Sequence, residues 1–153
     1  MPAPHDRPPG IGSVVTERDV SFDGNRMLVL LTKEEGAGLS ILDETVPAGW
    51  SPPPHAHLHA TETFYVLEGS YRFVVDDVEQ QVVAGQVVSV PAGTTHWWTS
   101  GPQGARTLVF FVPGGMEGYF AELSDALADA GDQPLDEAFR TRMRDRYGME
   151  IRR

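Results

Sequence analysis

Between Val14 and Pro113 the chain is a succession of short apolar, β-prone runs broken by Gly, Pro, Asp and Asn. This punctuation predicts an all-β sandwich or barrel. The runs are Arg26–Thr32, Leu39–Val46, Thr63–Glu68, Ser70–Val75, Glu79–Val83, Gln86–Val90 and Arg106–Val112. So many strands in about a hundred residues leave no room for crossover helices, so the sheets are expected to be antiparallel. Asp76, Asp77 and Glu79 read as a solvated hairpin turn. Gly49, Gly69, Gly85 and Gly93 read as positions needing positive φ or close backbone approach.

The period changes after Gly114. Met116, Tyr119, Phe120, Leu123 and Leu127 recur at i, i+3, i+4, i+7 and i+11, which predicts a helix over Met116–Ala130 stopped by Gly131. A second helix is expected from about Pro134 to Tyr147, with Leu135, Phe139 and Met143 on one face and Gly148 ending it. Both are expected on the outside of the β body. The chain then divides into a flexible Pro-rich N-terminus (1–12), a barrel (13–113) and a helical extension packed on the barrel (114–153).

At 153 residues the chain is the size of one domain. Twelve Lys and Arg against 22 Asp and Glu give a net charge of −10, which argues against nucleic-acid and anionic-membrane partners. With no cysteine, a metal site would have to use His and carboxylate. The N-terminal segment carries Pro2, Pro4, Pro8 and Pro9 and no apolar run, so neither a signal peptide nor a membrane anchor is expected and the cytoplasm is the default compartment.

Four of the five histidines fall in two short segments: His55, His57 and His59 in one, His96 in the other. In a strand, alternate side chains share a face, so any two of the first three can converge on one ion. Glu62 is out of phase, so the chain must turn or bulge between His59 and Glu62 to aim it inward. Neutral imidazoles with a carboxylate suit a divalent ion such as Fe, Mn, Ni, Co, Cu or Zn.

The run from Gly49 through His55, His57 and Glu62 to Gly69 resembles the first cupin motif, G(X)5HXH(X)3,4E(X)6G. The run Gly85 through Pro91 and Gly93 to His96 resembles the second, G(X)5PXG(X)2H. Ser100 stands where the family pattern often has Asn. The resemblance implies a double-stranded β-helix, the jelly-roll barrel of the cupins, followed here by the two C-terminal α-helices. It also implies a divalent transition-metal ion held by His55, His57, Glu62 and His96. His59 lies outside the pattern and reads as solvent-facing or as a neighbour standing behind the ligands, with an alternate ligand or a proton relay as the other reading. Alternation from His96 puts Trp98 and Ser100 on the ligand face, and alternation from Glu62 adds Phe64, Val66 and Glu68. Phe64, Val66, Trp98 and Ser100 are therefore the candidate pocket residues.

The approach Pro52-Pro53-Pro54-His55 and the run Pro113 to Phe120 are closest to small quercetinase-like cupins. That branch implies a dioxygenase that cleaves a flavonol-like, aromatic or enolisable substrate with O₂, with Glu62 accepting the substrate's hydroxyl proton as well as ligating. It also implies a homodimer. A metal-dependent cyclase or isomerase of a polyketide-type pathway and a non-enzymatic small-ligand binding cupin are the alternatives, because this fold hosts unrelated activities.

Overall fold

The computed structural model describes residues 18–152; the Pro-rich stretch 1–12 and residues 13–17 of the expected barrel lie outside the described residues. The elements run β1 (Arg18–Asp19), β2 (Arg26–Leu31), β3 (Ser40–Val46), β4 (His55–His57), β5 (Thr61–Val75), β6 (Val78–Val83), β7 (Val87–Val90), β8 (His96–Val112), α1 (Met116–Ala130), α2 (Glu137–Tyr147) and β9 (Met149–Ile151). Every strand pairing is antiparallel.

Two long strands, β5 and β8, organise the barrel. The first part of β5 pairs with the last part of β8, from Thr61↔Val112 to Gly69↔Ala105, and continues as Tyr71↔Ser100 to Val75↔His96. The first half of β5 also carries β7, and its second half carries β6. On its other side β8 carries β3 along its C-terminal half and β4 at His96. Two sheets result, β1-β2-β3-β8-β5-β7 and β9-β4-β8-β5-β6, joined because the two central strands bend from one into the other.

The bend depends on glycine. Four residues, 101–104, have no partner in the register between Ser100 and Ala105, and the backbones touch there. A Cβ on Gly69, whose φ is +76, would stand 2.1 Å from the Gly104 carbonyl oxygen, and one on Gly101 would stand 2.1 Å from Ser70 Oγ. The sequence reading splits β5 at this corner into two runs, and the structure carries the strand through it. Asp76 and Asp77, with φ of 50° and 64°, make the two-residue hairpin between β5 and β6 whose backbone twist suits paired strands.

Alternation along β5 buries Glu62, Phe64 and Val66 and exposes Tyr65. Glu68, expected on the same inward face, is exposed. A register shift between Val66 and Glu68 adds a residue to the strand, and a one-residue slip turns the following side chains to the opposite face. The core inside the bend is aromatic: Phe64, Tyr71, Phe73 and Trp98 are almost fully buried, with Phe64–Phe73, Tyr71–Phe73 and Tyr71–Trp98 ring centroids 4.9, 5.4 and 5.0 Å apart. Such pairs contribute about 0.5–1.5 kcal/mol each beyond area burial.

Both helices form where the period predicts, α2 starting three residues later. Asp136 accepts from the Phe139 N–H at 2.8 Å, and the left-handed Gly148 donates its N–H to the Arg144 carbonyl at 2.9 Å, so α2 is capped at both ends. Glu117 in the first turn of α1 accepts from Ser40 Oγ at 2.6 Å and from the Lys33 N–H at 2.9 Å, which fastens α1 to the β2–β3 region. A Cβ on Gly118 would meet the Tyr147 ring at 2.8 Å, so that glycine lets the two helices approach closely. Their apolar faces are not simply laid on the outer wall: Tyr119, Phe120 and Leu123 of α1 and Phe139 and Met143 of α2 line the same cavity as His55, His57 and Glu62. The helices cover the mouth of the barrel.

The corner generates a stability prediction. Gly69→Ala should cost about 2–4 kcal/mol, because it combines an unfavourable φ with a backbone clash. Gly85→Ala, at a φ of +88 with nothing within 4 Å of its Cβ, should cost only about 1–2 kcal/mol. Urea denaturation of the two variants beside the wild type checks the difference; equal losses would remove the corner contact as its cause.

Candidate metal centre

The three-residue strand β4 places His55 and His57 on one face, with Ala56 on the other. It is held on both sides, by His55↔His96 with β8 and by His55↔Ile151 and His57↔Met149 with β9. Arg152 extends that clamp. Its backbone N–H bonds to the Pro54 carbonyl at 2.8 Å, and its Nη1 donates to the Gly93 carbonyl at 2.8 Å and to Thr95 Oγ1 at 2.9 Å, which steadies the approach to both His55 and His96. The chain then turns at Leu58–Ala60, as the phase change between His59 and Glu62 requires, and β5 starts with Glu62 facing inward.

His55, His57, Glu62 and His96 each offer one ligand atom, and these atoms all lie within 4.8 Å of one another. All four residues are buried. His55 Nδ1 is 2.8 Å from the Pro53 carbonyl and His96 Nδ1 is 3.0 Å from the Thr94 carbonyl. A carbonyl only accepts, so each Nδ1 is assigned the proton, leaving Nε2 as the ligating nitrogen. Burial, with the neighbouring His96 and His57 adding to it, lowers the pKa of His55 to about 3, which keeps its lone pair free at neutral pH. Burial disfavours charge on Glu62, but His57 and His96 outweigh it and hold the carboxyl below its ordinary range. Burial also works against protonation of His96, and the Glu62 carboxylate, 2.9 Å from Nε2, reverses the balance in favour of the proton.

His57 provides the fit test for an ion. It is 4% exposed, its Nε2 lies 3.2 Å from Glu62 Oε1 without hydrogen-bond geometry, and neither ring nitrogen has a hydrogen-bond partner. A buried polar group left in that state costs roughly 1–3 kcal/mol, and a cation beside the Glu62 carboxylate would satisfy one of the two nitrogens. Three imidazoles and one ionised carboxylate are a donor set that fits a divalent transition-metal ion.

The four-residue cluster opens on a cavity of about 1070 Å³ whose wall includes Phe64, Trp98, Val109 and Phe111. Phe64 and Trp98 thus stand where alternation puts them. Val66 and Ser100 do not reach the cavity. Val66 is fully buried in the core, and Ser100 Oγ accepts from the Trp50 N–H at 2.9 Å and donates to the Pro47 carbonyl at 2.5 Å, so it ties down the loop before β4. His59 is exposed and rests on Gly148, where a Cβ would be 2.7 Å from its ring; it stands outside the cluster. One lining residue escapes the motif-based reading altogether: Glu44, 4% exposed, on the inward face of β3. Its signal is present in the sequence, since Glu44 has the parity of the apolar Leu42 and Val46. Burial first, and Glu62 to a smaller degree, push its carboxyl up to about 7 despite a hydrogen bond from Asn25.

Residues 42–112 match the cupin domain family. That segment resembles a cupin domain. The chain is 29% identical over 109 residues to quercetin 2,3-dioxygenase of Bacillus subtilis (strain 168), a match that covers 71% of the chain but 32% of the relative, so the chain spans about a third of that protein's length. Among solved structures, the polyketide cyclase RemF from Streptomyces resistomycificus superimposes with a TM-score of 0.52 at 30% identity, covering 59% of this chain and 66% of that one. KdgF from Halomonas sp. superimposes with a TM-score of 0.59 at 16% identity over 68% of this chain and 93% of that one, a likeness of fold. The described residues form one barrel, which resembles the quercetinase-like cupins. No described helix is long and apolar enough to cross a membrane.

Two predictions follow from the cluster and its neighbour. His57→Ala or His96→Ala should abolish metal retention, read as the loss of about one equivalent of ion by elemental analysis of protein purified without chelator; a full equivalent in either variant would refute the ligand assignment. For Glu44, the folded state holds a proton up to about pH 7 that the unfolded chain loses near its ordinary value, so stability falls as pH rises through that window. Glu44→Gln removes this titration. On metal-stripped protein the variant should therefore gain about 3 kcal/mol relative to wild type between pH 4 and pH 8, measured by urea unfolding; a constant difference would mean an ordinary carboxyl.

Proposed function

We propose that this cupin is a metal-dependent dioxygenase acting on a small aromatic or enolisable substrate of the flavonol type. The observation that carries the reading is a cluster of four buried donors, His55, His57, Glu62 and His96, three of which, His55, His57 and Glu62, stand at the wall of a large, mainly aromatic and aliphatic cavity. A purely structural ion is normally enclosed by its ligands, whereas this set faces space for a substrate. The likeness to the Bacillus subtilis quercetin 2,3-dioxygenase supports the reaction class.

A divalent ion bound by the four donors supplies Lewis acidity toward a substrate oxygen and, where it is redox-active, electron exchange with O₂. The chain's own residues supply the rest. Glu62 takes the proton of the substrate's enol or phenol hydroxyl: it is ionised and sits within the cluster at the cavity wall, which makes its carboxylate the base beside a substrate oxygen. Phe64, Trp98 and Phe111 provide flat apolar surface for an aromatic ring, and the roof formed by α1 and α2 keeps bulk water from the reacting atoms. Both atoms of O₂ enter the product in such a cleavage, so no external reductant is needed.

A second reading is favoured by the 30% identity to a polyketide cyclase: the same cluster acting on an enolisable polyketide without O₂, with Glu62 moving the proton. The two separate in one experiment. With quercetin as substrate, the dioxygenase reading expects O₂ uptake at the electrode that chelator abolishes and that Glu62→Gln lowers at least 10²-fold, the range of general-base catalysis. Metal-dependent conversion that proceeds equally under nitrogen would replace it with the cyclase.

A further inference from the structure

The cavity has a second polar end, and its register is readable strand by strand. Glu62 stands opposite Phe111 on β8, Phe64 opposite Val109, and Val66 opposite Thr107. Across the other edge of β8, Leu42 stands opposite Val109 and Glu44 opposite Thr107. The row Leu42–Val109–Phe64, whose three side chains all line the cavity, therefore lies between the row of Glu62 and the row of Glu44. Phe111 and Thr107 are four residues apart on one strand, roughly 13 Å.

At that end Glu44 is oriented and only half used. Asn25 Nδ2 donates to Glu44 Oε2 at 2.8 Å, while Oε1 receives no hydrogen bond from any described residue. Thr107, its partner in register, spends its hydroxyl on Tyr71 at 2.6 Å. Asn25 is itself 1% exposed, and the turn of its amide that reaches Glu44 leaves its Oδ1 buried without a partner. A fold concerned with stability alone gains nothing from this arrangement: the amide oxygen buried without a partner is costly, and Glu44 Oε1 is left to whatever fills the cavity. Such groups on a cavity wall are ready for a ligand.

We propose that Glu44, steered by Asn25, is a ligand-recognition subsite that accepts a hydrogen bond from a hydroxyl or N–H group at the end of the ligand remote from the His/Glu cluster. The ligand is then an elongated, largely apolar or aromatic molecule with oxygen donors at one end for the metal centre and a hydrogen-bond donor at the other. This deepens the proposed function in resting on the cavity as the substrate site, but it depends on neither the reaction class nor the metal.

Phenol and anisole test it directly, since they share a ring and differ in the donor hydrogen. Binding is followed by ligand-observed NMR and by Trp fluorescence, Trp98 being on the cavity wall, at about pH 8.5, where the Glu44 carboxylate is free to accept, on protein as purified and after chelator treatment. The expected result is a preference for phenol of roughly fivefold to tenfold that survives chelation and falls within twofold in Glu44→Met, a near-isosteric removal of the acceptor. The ratio is read first on the native chain, so it does not depend on a variant folding. No saturable phenol binding, equal binding of the two, a preference lost with the metal, or one unchanged in Glu44→Met each overturns the subsite. Failure of the dioxygenase reading would show instead as absent O₂ uptake, with the phenol preference intact.

Discussion

Everything in this barrel answers to the problem of holding three imidazoles and a carboxylate together away from water. Ligand atoms within 4.8 Å of one another on four buried residues cannot be left to side-chain flexibility. Two of the imidazoles come from a strand of only three residues, too short to hold itself in place. The fold solves this by caging β4 between β8 and β9 and by fixing the rings of His55 and His96 through carbonyls two residues upstream. The Pro-rich approach to His55 and the Pro91–Gly93 turn before His96 are therefore parts of the site, since they present those carbonyls.

Much of this was legible in the sequence, and for definite reasons. Period-two alternation and helical periodicity report directly on backbone geometry, so the inward Phe64 and Trp98 and both helices could be read from residue order, whereas the choice of His55 and His57 over His59 rested on the resemblance to the cupin motifs. Glu68 was misplaced because a bulge reverses parity without leaving any composition signal, and Val66 and Ser100 because inward-facing is not the same as cavity-lining: a side chain can point into a barrel and be spent on packing or on a backbone tie. Strand β9 was not readable at all. Three residues after a helix stop have no period, and their strand character comes from the partner that receives them. Glu44 had the opposite fate, since its parity was plain but a lone carboxylate in an apolar run carries no spacing that distinguishes use from accident.

The helical extension acquires a different meaning once β9 is seen. Helix α2 ends at Gly148, and the next residue already pairs with His57. The same short piece of chain therefore carries Phe139 and Met143 over the cavity and then braces the strand that holds two of the four donors. The roof and the ligand strand are one mechanical unit.

That continuity makes occupancy of the cavity and occupancy of the cluster thermodynamically linked. A guest that settles α2 over the barrel also settles β9 against β4, so it tightens the hold on an ion; by reciprocity the ion tightens the hold on the guest by the same factor.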